Sequence, residues 1–312
     1  MQFGFHVDKQ HGFDKSLEEA YKRCCAVHDA VHMSAVHKHN HKYVFQIFVC
    51  GPANRNFINQ KDIDDINDFQ ARHNDVSILV HSAYVHAPWS RRNVHGLVKE
   101  IKVVKQINAH GIIVHMGSSM GDPADVLDKL IKAIHERPKK STSVTQETSV
   151  TQETSVTQET STRVPKIYLE INAAKPNTNT YETPSKINAL WKSLSKQHRA
   201  CVCIVVDTAH LYSCGVSLNT REYAAQFFNS LVIPASQIIF HLNDSHAVLG
   251  SGKDIHAGLT RGNIWHGYEG ELICKSGIGF IIDYATHHNQ IVILERDIEL
   301  LDDDIALIAQ LL

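Results

Sequence analysis

Eight short, apolar, β-branched runs recur along this chain, and segments of helical spacing separate them. The strand-like runs are Phe3–Val7, Tyr43–Cys50, Ser77–His81, Gly111–His115, Lys166–Glu170, Cys201–Asp207, Gln237–Asn243 and Ile291–Glu295. Between them the spacing predicts helices over Leu17–His28, Ile63–Asn74, Val94–Ala109, Ala124–His135, Ser185–Gln197, Arg221–Leu231 and Glu271–His288. Near-continuous apolar strands that alternate with helices indicate parallel sheet, because each crossover helix covers a face of it. Eight such units in one chain of 312 residues fit an α/β fold of the (β/α)8 TIM-barrel type. A doubly wound open sheet is the alternative, and it would gather functional loops near one switch point instead of around a ring.

One segment breaks the pattern. Residues 143–160 are three tandem copies of Ser-Val-Thr-Gln-Glu-Thr, with no aromatic residue and little to bury. They fall between the fourth helix and the fifth strand. The expectation is therefore one barrel domain over 1–312, with 138–164 as an inserted loop on the face opposite the catalytic one.

Bulk composition removes several classes of function. The net charge of -2 gives no global field toward nucleic acid or acidic lipid, although a local basic face could act alone. Seven cysteines (24, 25, 50, 201, 203, 214 and 274) form no C-x-x-C pair and no disulfide framework, which suits buried thiols in a reducing compartment. No apolar run is long enough to span a bilayer, and the strand-like opening FGFHV does not resemble a signal peptide. A soluble, intracellular protein without membrane contact is expected. Many of the 22 histidines read as surface residues, including the tract His37-Lys38-His39-Asn40-His41.

The chemistry lies at the strand ends. Six runs finish in ligand-type residues: His81, His115, Glu170, Asp207, His241 and Glu295. Side chains at the C-terminal ends of barrel strands point to where such barrels do chemistry. Three more donors follow closely. Asp207-Thr-Ala-His210 places two ligand types three positions apart where a strand turns into a helix, and Asp254-Ile-His256 is an i, i+2 pair that faces one way in extended backbone. Any one of these residues is more often a cap or a satisfied hydrogen-bonder. Nine of them around eight strand ends point to a polynuclear metal centre. Imidazole and carboxylate without thiolate suit Zn2+ or Mn2+ in a hydrolytic site. A metal-free site built from acid, base and positioning residues is the other possibility.

The segments VVDTAHLYSCG (205–215), HLNDSHAVLGSGKDIH (241–256) and VILER (292–296) closely resemble the endonuclease IV family of apurinic/apyrimidinic (AP) endonucleases. The resemblance covers nearly the whole barrel in order. PWSRR at 88–92, the short form and the repeat look like the enzymes of large DNA viruses, for which host cytoplasm, nucleus or virion are the compartments implied. The resemblance implies three zinc ions. His81, His115 and Glu170 would hold the first. Glu170 would bridge to a second, completed by Asp207, His241 and Glu295, and His210, Asp254 and His256 would hold the third. It implies hydrolysis of the phosphodiester 5′ to an abasic site in duplex DNA by metal-activated hydroxide, giving a 3′-hydroxyl and a 5′-deoxyribose phosphate, with 3′-end phosphodiesterase or exonuclease activity as an extension. Glu295 and Glu170 are the catalytic candidates, Glu295 as the group that orients or deprotonates the nucleophile. Arg55, Tyr84, Arg91 and Arg92 are the DNA-contact candidates, with Lys99 as a further phosphate contact. A monomer without a nucleotide cofactor is expected. Met116, the glycine-free stretch Ile171–Pro176 and Trp265 depart from the family pattern, and none is a ligand. His6 resembles a ligand by position and is assigned to the core or to support of the ligands. A metal-dependent TIM-barrel sugar isomerase and a catalytically silent damaged-DNA-binding scaffold are the competing functions.

Overall fold

The structure is a computed structural model, and it describes residues 1–31, 42–53, 55–86, 94–116, 123–136, 163–176, 178 and 181–312. Eight parallel strands close into a barrel: β1 (Gln2–His6), β2 (Lys42–Phe48), β3 (Val76–His81), β4 (Gly111–His115), β5 (Lys166–Glu170), β6 (Val202–Asp207), β7 (Ile238–His241) and β10 (Ile291–Leu294). Around the ring the order is β1-β10-β7-β6-β5-β4-β3-β2, so the first and last strands pair, with Phe5 opposite Leu294. The intervening β8 (Asp244–Ser245) and β9 (His256–Ala257) form a short antiparallel pair in the loop after β7.

Strand alternation explains both layers of the core. Outward residues such as Phe5, Ile78, Ile112, Leu169, Ile204 and Phe240 pack under the helices. Inward residues form a separate cluster of Val44, Leu79, Ile113, Tyr168, Cys203, Val205, Ile239, Ile291 and Ile293. Fully burying an aliphatic side chain of this size is worth about 1.5–3 kcal/mol. One close approach needs glycine: a Cβ on Gly4 would lie 1.5 Å from the Val44 carbonyl oxygen, so β1 and β2 pair only without it.

The helices are α1 (Phe13–Val31), α2 (Gln60–Arg72), α3 (Val94–Gln106), α4 (Pro123–His135), α5 (Pro184–Ser193), α6 (Lys196–Cys201), α7 (Thr208–Ser213), α8 (Arg221–Asn229), α9 (Gly277–His287) and α10 (Asp302–Leu311). The segment expected as one helix over 185–197 is two. Leu194 is extended, and the Ser195 hydroxyl accepts from the His198 amide and starts α6. The helix expected over 271–288 is divided in the same way: a 3-10 segment over Gly270–Lys275 precedes Ser276, which caps α9. The final helix, α10, was not anticipated. It packs beside α1 and completes the outer layer behind β10 and β1.

The Ser-Val-Thr-Gln-Glu-Thr copies lie outside the described residues, as do Arg91, Arg92 and the histidine tract. No disulfide joins any of the seven cysteines. Among the described residues no helix is long and apolar enough to cross a membrane.

Candidate metal centre

The period of two that builds the inner core also builds the site. Each ligand-type residue stands two positions beyond an inward core residue: His81 after Leu79, His115 after Ile113, Glu170 after Tyr168, Asp207 after Val205, His241 after Ile239 and Glu295 after Ile293. Strand pairing sets His115 opposite Glu170 and Asp207 opposite His241, and offsets the others by two residues, with His81 opposite Ile113, Glu170 opposite Val205 and His241 opposite Ile293. They gather at the C-terminal mouth of the barrel.

Three groups of donor atoms result, each within 4.8 Å: His81, His115 and Glu170; Glu170, Asp207, His241 and Glu295; and Asp207, His210 and His256. Glu170 is fully buried and spans the first two groups. Its Oε2 lies 3.0 Å from both His81 Nε2 and His115 Nε2, and its Oε1 lies 3.0 Å from His241 Nδ1. Glu295 Oε2 is 3.0 Å from the same His241 nitrogen, and Asp207 Oδ2 is 3.8 Å from it. Asp207 also caps α7 by accepting from the His210 amide at 2.9 Å, so the strand-to-helix turn brings His210 into the site. Asp254 then joins the third group with both oxygens, Oδ2 at 3.1 Å from His210 Nε2 and Oδ1 at 3.0 Å from His256 Nε2.

The histidines are held by their other nitrogens. His81 Nδ1 contacts the Ser82 carbonyl at 2.8 Å, His210 Nδ1 the Ile171 carbonyl at 2.7 Å, and His256 Nδ1 the Glu295 carbonyl at 3.1 Å. A carbonyl only accepts, so each of these Nδ1 atoms carries a proton and each Nε2 is the nitrogen turned toward the site. His241 is reversed: its Nε2 donates to Gln46 Oε1 at 3.0 Å, which leaves Nδ1 toward the carboxylates.

Gln46 and Asn243 are the residues that sequence reasoning missed. Gln46 donates to Glu295 Oε1 at 2.6 Å and also meets His6 Nδ1 at 3.2 Å. Asn243 donates to Asp207 Oδ2 at 2.7 Å and to Glu295 Oε2 at 3.3 Å, and its oxygen accepts from the Glu295 amide at 3.0 Å. Gln46 stands two positions after the inward Val44, the same signal that marks the ligands. His6 thus supports the cluster through Gln46.

Charge balance tests whether these residues fit a metal. Among the described residues no Lys or Arg pairs with Glu170, Asp207, Asp254 or Glu295; only histidines do. Burial pushes the Asp207 carboxyl up. Burial acts on Glu170 and Glu295 too, but the adjacent histidines hold both carboxyls well below the usual range. Burial opposes charge on His210, His241 and His256, yet the surrounding carboxylates raise all three, His256 to about 9. The cluster therefore requires compensating positive charge, which protons on imidazole or divalent cations can supply. His256 Nε2 is buried and stands 3.0 Å from Asp254 Oδ1 and 3.7 Å from Asp207 Oδ2, as a ligand atom would. Zinc bonds of about 2.0–2.2 Å place ligand atoms roughly 3–4 Å apart, which is the scale of these contacts.

The site opens into a cavity of about 190 Å³ whose walls also include His6, Asp8, Phe48, Tyr84, Arg296 and Asp297. Tyr84 is 58% exposed, with its ring centroid 5.6 Å from that of His81 and 5.4 Å from that of His115. Arg55 is exposed in the loop after β2, and Lys99 is exposed on α3. Two of the departures from the family pattern, Met116 and Trp265, are absorbed as structure. Met116 is buried and its amide donates to the Glu170 carbonyl at 2.8 Å, and Trp265 is buried with its indole N–H on the Leu218 carbonyl at 3.0 Å.

No family model matches the chain. It is 30% identical over 263 residues to a probable AP endonuclease of African swine fever virus (isolate Warthog/Namibia), covering 81% of this chain and 78% of the relative. The crystal structure of AsfvAP:AG superposes with a TM-score of 0.71 at 25% identity, covering 99% of this chain and 96% of that one. Endonuclease IV from Thermus thermophilus shares the fold, with a TM-score of 0.64 at 18% identity, covering 100% of this chain and 98% of that one. The chain belongs to the endonuclease IV family of AP endonucleases.

Proposed function

We propose that this protein is a metal-dependent AP endonuclease that hydrolyses the phosphodiester 5′ to an abasic site in duplex DNA. The observation that carries this proposal is the sharing of Glu170 and Asp207 among three donor groups at the wall of one open cavity. The donor set of five histidines and four carboxylates suits Zn2+, three per chain, with Mn2+ as the alternative. His81, His115 and Glu170 are assigned to one ion, Glu170, Asp207, His241 and Glu295 to the second, and His210, Asp254 and His256 to the third. When bound, such ions lower the pKa of water toward about 7 and carry phosphate charge.

The residues divide the remaining work. Glu170 is fully buried and presents one oxygen to each of two groups, which fixes their spacing. Glu295 has 15% side-chain exposure and reaches the cavity wall. Gln46 and Asn243 fix both of its oxygens, and on that geometry it is assigned to orient or deprotonate the attacking water. Water adds to phosphorus, the bond to the 3′ oxygen breaks, and that oxygen leaves as the 3′-hydroxyl of the upstream strand. The phosphate stays on the abasic sugar as the 5′-deoxyribose phosphate. Tyr84 and Arg55, both exposed at the mouth, are assigned to the DNA around the lesion, as are Arg91 and Arg92. Extrusion of the lesion is least costly where no base stacks. The functional unit is one domain over 1–312, acting as a monomer, with 138–164 as an insertion and 3′-end phosphodiesterase activity as an extension of the same chemistry.

A duplex carrying one tetrahydrofuran abasic analogue tests this. Incision 5′ to the lesion, leaving an end that a DNA polymerase extends, is the expected result. No incision together with turnover of a ketose or aldose would favour the sugar isomerase, and binding without incision would favour the silent scaffold.

A further inference from the structure

The loop carrying Arg55 and the turn carrying Tyr84 are tied together beneath the surface by groups that the chemistry above does not use. After β3 the chain passes through Ser82 and Ala83 into a single 3-10 turn, Tyr84–His86. The carboxyl group of Glu100, on α3, holds this turn at two points. One oxygen accepts from the Ala83 amide at 3.2 Å, and the other meets His86 Nδ1. Glu100 and His86 are 0% and 3% exposed, a placement that is costly for polar groups without a specific partner.

The other side of the His86 ring faces the second loop. Phe57 stacks on it with centroids 6.1 Å apart and planes inclined by 26°. Phe57 pairs with Cys50 in an antiparallel bridge, and the Gly51 amide donates to the Asn56 carbonyl at 3.0 Å, so the segment with Arg55 near its centre is closed on itself. A direct bond completes the link: the Tyr84 amide donates to the Pro52 carbonyl at 2.9 Å. Room for the ring depends on Gly96, where a Cβ would lie 2.4 Å from the His86 Cδ2.

We propose that Glu100 and His86 are positioning residues for recognition of the abasic site, holding the Arg55 loop and the Tyr84 turn as one rigid bracket at the mouth of the metal cavity. This rests on the function proposed above. Neither residue lines the cavity, and among the described residues their side-chain bonds and ring contacts go to Ala83, Phe57 and each other. Their effect therefore falls on how the duplex is seated and not on hydrolysis at the centre. Misplacement of a positioning group by about 1 Å can cost on the order of 100-fold in rate.

The test compares Glu100→Ala, Glu100→Gln and Phe57→Leu with wild type in the full chain, with metal content measured on each sample. Two substrates are used: the tetrahydrofuran duplex and bis(4-nitrophenyl) phosphate, which is too small to span the loops. Glu100→Ala is expected to raise KM for the duplex by about tenfold or more. Its kcat at saturating duplex and its turnover of the small diester should stay within about threefold of wild type. Glu100→Gln keeps an acceptor for the Ala83 amide and a polar partner for His86, and should return KM to within about threefold of wild type. If Glu100→Ala does not fold, Phe57→Leu removes only the stack from a half-buried position and should still raise KM. Unchanged KM in folded Glu100→Ala or Phe57→Leu overturns the bracket, as does an equal fall on both substrates. A wild-type chain that leaves the duplex uncut instead overturns the functional proposal beneath it.

Discussion

Replacing Gln46 with leucine isolates how the metal centre is held from outside its ligands. Gln46 is 0% exposed and sits between Glu295 and His241. Glu295 can only accept, so the Gln46 Nε2 must donate to it. The Gln46 Oε1 then faces His241 and fixes the proton on His241 Nε2. Leucine keeps the volume and removes both functions. A hydrogen bond to an ionised carboxylate is worth roughly 1.5–3 kcal/mol, and a buried N–H left without a partner costs about 1–3 kcal/mol. Some of that loss falls on overall stability, because both partners stay in the barrel. The part that falls on metal binding should resemble the loss of other outer partners, about 10–100-fold in affinity. Competition of the metal-free protein against a chromophoric chelator resolves the affinity classes. One class should weaken by that factor in Gln46→Leu, while the class belonging to His81 and His115, which Gln46 does not touch, should hold. Unchanged affinity in every class, or an equal fall in all of them, would refute the claim that Gln46 sets the His241 tautomer.

Three further outcomes are expected. Asn243→Asp puts a third carboxylate where the amide now donates to Asp207 at 2.7 Å and Glu295 at 3.3 Å; calorimetry of the metal-free protein should show Tm lower by roughly 4–10 °C, and an unchanged Tm would contradict the contacts. Glu295→Gln, assayed at matched metal content, should lose about 10²–10⁴-fold in kcat, and full activity would remove Glu295 from its role. The Glu100–His86 pair gives a pH dependence of stability. Burial pushes the Glu100 carboxyl up to about 8 and lowers His86. A raised carboxyl loses stability as pH climbs from its unfolded value toward 8, whereas a lowered histidine gains stability up to its unfolded value near 6.5, so the two oppose below 6.5 and only the loss remains above it. Urea unfolding should therefore show wild type losing about 2 kcal/mol between pH of roughly 6.5 and 8.5 relative to Glu100→Gln, and parallel pH profiles would show that Glu100 does not titrate there.

Much of this was legible in the sequence, for a definite reason. A strand alternates with a period of two, so a run such as Ser77–His81 that ends in a histidine two positions after a buried leucine must point that histidine into the barrel mouth. The same logic applies even to Glu295, which lies one residue past the end of β10. Gln46 obeys the same rule, but an amide is not a ligand type, and a strand expected over Tyr43–Cys50 puts Gln46 in its middle and not near its end at Phe48. Asn243 was hidden for a different reason. Its partners Asp207 and Glu295 stand at the ends of β6 and β10, the two strands that flank β7, and only the pairing of those strands brings them together. The break at Ser195 and the cap at Ser276 are local signals, present in the sequence but weaker than the helical periodicity running across them. The bracket of Phe57, His86 and Glu100 has no sequence signature, because it joins two loops and a helix through side-chain contacts alone.

The most direct measurement is strand incision and metal content on one purified sample carried through chelation and zinc return. About three zinc per chain, one cut 5′ to a tetrahydrofuran site, loss of that cut on chelation and recovery with zinc are the predicted results. Full metal loading with the abasic duplex left intact would contradict the assignment of this centre to DNA hydrolysis.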